Sequence, residues 1–327
     1  MKKYLFIIFS FLLIVCSKKG TKDILKNVTK KIENLETYNV QGELNMYNGE
    51  NKYTYDVDVK YKKDDLYRVS LINKVNNHEQ IILRSEDGVY VLTPSLNKSF
   101  KFQSDWPYNN SQIYILERLL NDISKDEERE YEKKDGMHVF TTKVNYSTNT
   151  ELTKQKIYFD ENYAIKKVEI YNSSDEIKME FVVNKYEENG KVDESIFKLE
   201  NNIDSSQDTK DISSKVDDVI YPMYLPQNTY LSSQDRISKE SGERVILSFD
   251  GEKPFTLIEE TITVSKDIDV NVTYGEPDLI IDTVGSVDDS SISWVSGNIE
   301  YSLLSDSLDR DELLNVAKSV SSSSITK

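Results

Sequence analysis

A chain of 327 residues with 38% hydrophobic and 10% aromatic side chains can build two domains with real cores, which excludes a disordered tail. Its formal charge of −16 argues against nucleic acid and bare anionic surfaces as partners. The only cysteine is Cys16 and the only histidines are His78 and His138, which excludes a disulfide framework, a cysteine-ligated zinc and a histidine-rich metal site. No metal and no cofactor is expected.

The chain opens MKKYLFIIFSFLLIVCSKK. Two lysines precede an apolar run from Tyr4 to Val15, broken by Ser10, and a polar end follows at once. This is the pattern of a secretory signal. As a helix the run reaches about 18 Å, short of the roughly 30 Å hydrocarbon core. Leu13-Ile14-Val15-Cys16 resembles the lipobox of bacterial lipoproteins, departing from it at Val15, where Gly, Ala or Ser is usual. The resemblance implies that Cys16 is lipidated and becomes the mature N-terminus. Two or more acyl chains would then hold the protein firmly on the outer leaflet of the cytoplasmic membrane.

Thr21–Glu36 reads as an amphipathic helix, with Ile24, Val28, Ile32 and Leu35 on one face and Thr21 as its cap. The period then changes from 3.6 to 2. Strands are expected over Tyr38–Tyr47, Asn51–Lys62, Leu66–Ile72, Gln80–Arg84, Gly88–Thr93 and Lys98–Gln103, joined by short turns. A second helix is expected over about Ser111–Ser124, with Ile113, Leu116, Leu120 and Ile123 as its stripe. A charged segment, Lys125–Lys134, leads to further strands over His138–Tyr146, Lys154–Asp160, Ala164–Asn172 and Glu176–Tyr186. Consecutive strands with short connections make an antiparallel meander rather than a βαβ fold.

Asn201–Ser214 has two aliphatic residues and reads as a linker. From Lys215 to the end, 9 Lys and Arg face 21 Asp and Glu, a net charge of −12. Strands are expected here over Arg244–Phe249, Phe255–Val264, Leu279–Val284, Ser291–Val295 and Asn298–Leu304. A final helix starts near Asp309, where Asp309 and Glu312 have capping-box spacing. The expected fold class is α+β: a curved antiparallel half-barrel sheet with covering helices, plus a smaller α+β domain. The expected boundaries are 1–19 for the signal, 20–200 and 215–327 for the two domains, and 201–214 for the linker.

No G-x-S-x-G elbow, H-E-x-x-H, phosphate loop or dinucleotide fingerprint is present, so no catalytic residue is assigned and a non-enzymatic role is expected. The acidic clusters Asp126–Glu130 and Asp288-Asp289 lack the ligand order of a calcium loop. Both histidines read as surface or turn residues. Tyr53, Tyr55, Val57, Val59 and Tyr61 form one face of the clearest strand. They either pack against the helices or line a hydrophobic ligand site. Pro107 disfavours helix at Trp106, so the indole either plugs the sheet end or faces a ligand.

The order of helix, meander, the segment RSEDGVYVLTPSLNKSFKFQSDWP at Arg84–Pro107, helix and further strands resembles the LolA-like superfamily over residues 21 to about 200. That superfamily includes lipoprotein carriers, RseB/MucB periplasmic sensors and Gram-positive sporulation and germination lipoproteins. The Arg84–Pro107 segment is most similar to the Gram-positive, GerS-type germination lipoproteins. The resemblance implies a half-open barrel whose concavity holds acyl chains in carriers and serves protein contact in regulators, with Arg68 at the cavity. The last hundred residues resemble a small C-terminal domain common in Gram-positive membrane-anchored proteins, of unassigned function. Three functions stay open, in this order: a membrane-anchored lipoprotein binding a protein partner (a spore-cortex or envelope enzyme) or an apolar ligand during envelope or spore assembly or germination; a carrier of lipid or acylated protein; and an envelope hydrolase.

Overall fold

The computed structural model describes residues 20–49, 51–104, 106, 112–144, 146, 151–203, 215–239, 242–263, 269–280 and 283–325, without the side chains of 321–325. The signal segment with Cys16, and residues 204–214 of the expected linker, lie outside the described residues.

The first helix, α1, spans 20–33. It already includes Gly20, so Thr21 lies inside it rather than capping it. Val28 and Ile32, with Leu35 just beyond its end, are buried as the stripe requires. Six strands follow: β1 (Thr37–Asn48), β2 (Asn51–Lys62), β3 (Leu66–Asn73), β4 (Glu79–Ser85), β5 (Gly88–Thr93) and β6 (Lys98–Phe102). Then come α2 (Leu116–Lys125), β7 (Glu130–Lys134), β8 (Met137–Lys143), β9 (Leu152–Phe159), β10 (Ile165–Asn172) and β11 (Ile177–Glu188). Helix α2 is shorter than expected. Ile113 and Tyr114 form a turn before it, although Ile113 is buried as its stripe required. Within the charged segment, Glu130–Lys134 proves to be an edge strand. Its Asp135-Gly136 connection to β8 has φ of 50° and 79°, a primed hairpin turn.

Strand β1 is the hub of this sheet: it pairs antiparallel with β2 on one side and β11 on the other. The two meanders thereby become one open sheet ordered β6-β5-β4-β3-β2-β1-β11-β10-β9-β8-β7. Where β1 meets β11 the register shifts between Gln41 and Gly42. A Cβ on Gly42 would stand 2.4 Å from the Val182 carbonyl oxygen and 2.7 Å from the Phe181 ring, so only glycine fits beneath that phenylalanine.

The second sheet comprises β12 (Thr229–Lys239), β13 (Gly242–Gly251), β14 (Phe255–Thr261), β16 (Glu276–Ile280), β17 (Thr283–Val287), β18 (Ser291–Ser296) and β19 (Ile299–Leu304). Its spatial order is β12-β13-β14-β19-β18-β17-β16. Helix α3 (Arg310–Ile325) closes one face, packing Leu313, Leu314, Val316, Ala317 and Val320 against Trp294, Leu257 and Leu303. Its capping box forms as spaced: the Glu312 amide donates to Asp309 Oδ1 at 2.9 Å and the Asp309 amide to Glu312 Oε2 at 3.3 Å. The strand expected over Leu279–Val284 is instead two strands paired antiparallel, Ile280 opposite Thr283.

One strand, β15 (Asp269–Thr273), leaves the second half of the chain and adds in parallel to β6, completing a twelve-stranded sheet. Side chains lock this junction. The buried Gln80 amide mimics a peptide unit, its Nε2 donating to the Val284 carbonyl at 3.1 Å and its Oε1 accepting from the Val284 amide at 2.5 Å and Thr283 Oγ1 at 3.0 Å. Lys98, 6% exposed, pairs with Glu300 and, at 3.3 Å, with Asp269. Ile262, Val284 and Val295 from the second half join the core of the first.

Two outcomes follow. Gly42→Ala overpacks the bulge and lowers stability by about 1–3 kcal/mol, read as a lower urea midpoint at unchanged m-value. Gln80→Leu keeps the volume but strands the Val284 amide and carbonyl, at about 1–3 kcal/mol. It also speeds amide exchange in β17 more than in β2, and equal effects on both strands would argue against a role at the junction.

Candidate functional site

The sequence allows the aromatic strand to be either core or lining, and its position makes it core, with Tyr53 also reaching a cleft. Tyr53, Tyr55, Val57, Val59 and Tyr61 share one face of β2 and are all at most 8% exposed. They pack in one core with Val28, Ile32 and Leu35 and with Leu116, Leu119 and Ile123 of α2. The Tyr61 ring stacks on Tyr38 at 4.7 Å and lies 4.9 Å from Tyr67, which meets the fully buried Trp106 edge-on at 5.7 Å. Arg68 is not among them. It pairs across the strands with Lys60, whose parity is opposite to that of Val59, so it lies on the other face of the sheet. There its Nε donates to Asn202 Oδ1 at 2.6 Å and its guanidinium lies 3.6 Å from Glu79.

Helix α2 is held over the aromatic face by polar contacts. Tyr38 Oη donates to Glu117 Oε2 at 2.9 Å, and Gln155 Nε2 donates to Asp122 at 2.9 Å. Burial pushes the Glu117 carboxyl above the usual range, and the Tyr38 and Tyr67 hydroxyls partly restore it. Asp122 is likewise raised by burial, with Arg118 opposing. These groups fasten a helix to a sheet.

His138 is not the surface residue expected. It is 7% exposed, with its ring between Tyr131 and Tyr163 and its Nδ1 2.9 Å from Tyr131 Oη. Burial lowers its pKa, which keeps the imidazole neutral. Burial also lowers that of His78, at the opposite end of β4 from Arg84. Among the described residues no group of three His, Cys, Asp or Glu side chains could hold a metal ion.

Two cavities stand out among the described residues: one of about 650 Å³ on the other face of the first sheet, lined by Arg68, His78, Glu79 and Asn202, and one between the two sheets. The second, a cleft of about 700 Å³, opens beside the junction. One wall is the β1–β2 hairpin end and its neighbours, with Met46, Tyr53, Leu152 and Met179. The other is Met223, Tyr224, Leu279 and the Leu314 side of α3. Charges of both signs rim it: Glu151, Asp278 and Asp311 with Lys178 and Lys318. A lining of apolar side chains mixed with charges of both signs suits a polypeptide segment better than a uniformly charged ligand. Three methionines add an adaptable, polarizable contact surface.

Of the residues singled out from the sequence, Tyr53 alone lines this cleft. Met223 and Tyr224 lie in the run Tyr221-Pro222-Met223-Tyr224-Leu225-Pro226, outside every strand and helix expected from the sequence. Three apolar residues between two prolines, with no period of their own, were the available signal.

A family model described as Sporulation protein YdcC-like matches residues 1–197. The chain is 35% identical over 313 residues to Sporulation protein YdcC of Bacillus subtilis (strain 168), covering 94% of this chain and 93% of that protein. Among solved structures, it is similar to the Pseudomonas aeruginosa MucA/MucB complex at 9% identity and a TM-score of 0.32, over 86% of this chain and 92% of that one. It is also similar to the complex of the Clostridioides difficile CwlD amidase with the GerS lipoprotein at 17% identity and a TM-score of 0.28, over 53% of this chain and 94% of that one. By the family match and the length and level of identity to its relative, the chain belongs to the YdcC-like family of sporulation proteins.

Proposed function

We propose that this chain is a non-enzymatic protein of spore formation, tethered through Cys16 to the outer face of the cytoplasmic membrane, that binds a protein partner in the cleft between its two sheets. The cleft carries the reading. It joins apolar side chains to charges of both signs, and the Gln80 and Lys98 contacts hold its two walls in one geometry. Such preorganisation lowers the ordering cost of association. The partner reading is supported over the carrier reading by the aromatic face of β2, which is occupied by the protein's own helices. Among the described residues no helix is long and apolar enough to cross a membrane, so attachment is assigned to the apolar segment ending at Cys16. The resemblance of Arg84–Pro107 to germination lipoproteins makes an envelope or spore-cortex enzyme the partner to test first.

Two measurements test this. Full-length protein purified from sporulating membranes should retain one stoichiometric partner. Met223→Glu and Asn315→Glu, which place charge in the cleft, should weaken that complex at least tenfold (about 1.4 kcal/mol), while Tyr230→Glu on the far edge strand should leave it intact. Equal retention by all three would reject the cleft. Separately, Cys16→Ser should move the protein out of the membrane fraction; unchanged attachment would reject the lipid anchor.

A further inference from the structure

The chain enters the second sheet through a strap, residues 215–228, that belongs to no helix or strand. Its backbone amides are taken by carboxylates. The Val216 amide donates to Glu243 Oε2 at 2.9 Å, and the Ile220 amide donates to Glu259 Oε1 at 2.9 Å. The Arg236 guanidinium braces the first contact, 2.8 Å from Glu243 Oε2 and 3.2 Å from the Val216 carbonyl. Val216, Val219 and Ile220 pack into the second core. Beyond them Pro222 and Pro226 are buried, while Met223, Tyr224 and Leu225 between them are 80%, 38% and 40% exposed. Met223 and Tyr224 are part of the cleft wall. One end of the strap is thus clamped to the core and the other shapes the cleft.

The clamp has an unusual centre. Glu259 is 0% exposed, and its second oxygen, Oε2, is buried with no hydrogen-bond partner among the described residues. A neutral carboxyl tolerates that position; an ionised one has a lone oxygen in apolar surroundings. We propose that Glu259 makes the strap a proton-controlled gate on the cleft: neutral, it keeps Ile220 docked and Met223–Tyr224 seated, and on ionising it favours release of the strap.

The charged and titratable groups around Glu259 fit this role. Arg236 on β12 is the cation whose field reaches it, and that guanidinium is shared with Glu243 on β13. Tyr301 on β19 is its cross-strand neighbour, with its ring stacked on Trp294 at 5.0 Å. The strap itself brings Lys215, Asp217 and Asp218. Burial pushes the Glu259 carboxyl from 4.5 up to about 7, with the Ile220 amide and Arg236 pulling the other way. Burial in the docked form favours the proton over the opposing pull of the Ile220 amide, so docking is strongest at acid pH. It weakens as pH rises to about 7 and is level beyond.

The gate rests on the cleft being the binding site, but its test needs no partner. Amide exchange of the strap in the full chain, corrected for chemical exchange and referred to β13, should rise about tenfold from pH 6 to pH 8. Glu259→Gln keeps an acceptor for the Ile220 amide and should abolish that rise. Should Glu259→Gln fail to fold, Arg236→Gln serves instead. Removing the cation should move the midpoint to higher pH, whereas simple loosening would raise exchange equally at every pH. A strap whose exchange is independent of pH, or equally dependent on it in Glu259→Gln, overturns the gate. So does an unmoved midpoint in Arg236→Gln. Partner loss in Met223→Glu beside a pH-independent strap would keep the cleft and reject the gate, and the converse result would keep the gate and reject the cleft.

Discussion

The arrangement depends on a strand of five residues placed out of turn. β15 lies parallel to β6, and the hydrogen bonds of that ladder bring the second half of the chain onto the edge of the first sheet. A parallel pair of this length is weak alone. It persists because polar side chains beside it are satisfied across the junction: Gln80 as a surrogate peptide, Lys98 between two carboxylates, and Thr273 against Ser286 at 2.6 Å. Buried polar groups of this kind contribute little net energy while paired and cost several kcal/mol when a partner is removed. They therefore specify a geometry more than they stabilise it, and the geometry they specify is that of the cleft.

The first sheet was legible chiefly through β1, β2 and β9, each of which has one wet and one dry face. β2 alternates buried and solvent-facing residues along most of its length, and its sequence alternates with it. β7, β12 and β15 were not legible for the same reason inverted. Each lies at a sheet edge with most of its residues outside the core, so no alternation was imposed on its sequence. The site was less legible than the fold. Parity on β2 identified the buried face, but core and binding surface draw on the same residues, and only packing against α1 and α2 distinguishes them. Parity also separates Arg68 from the tyrosines once the β2–β3 register is known, and register is a tertiary fact. Gln80 gave no signal, because a glutamine in a strand reads as a solvent-facing residue until something is built over it.

The two halves thus divide the work between rigidity and response. The half-barrel is filled by its own helices, and its buried Glu117–Tyr38 contact fastens α2 in place. The second half carries less fastening per residue at its entrance, where two amides of an irregular strap depend on carboxylates rather than on a strand ladder. Segments bonded in this way open locally at lower cost than sheet interiors.

The out-of-turn strand also has a consequence for how the protein is made. Lys98 and Asp269, the first pair of the β6–β15 ladder, are separated by 171 positions. At about 5–20 residues per second, β6 emerges roughly 10–30 seconds before its neighbour exists. For that interval the edge of the growing sheet is open to strands of other chains. Lys98 and Lys101 lie on that edge, and during synthesis their charges oppose wrong pairing. Once β15 arrives, Lys98 is buried between Asp269 and Glu300, and the residue that guarded the edge becomes part of its seal.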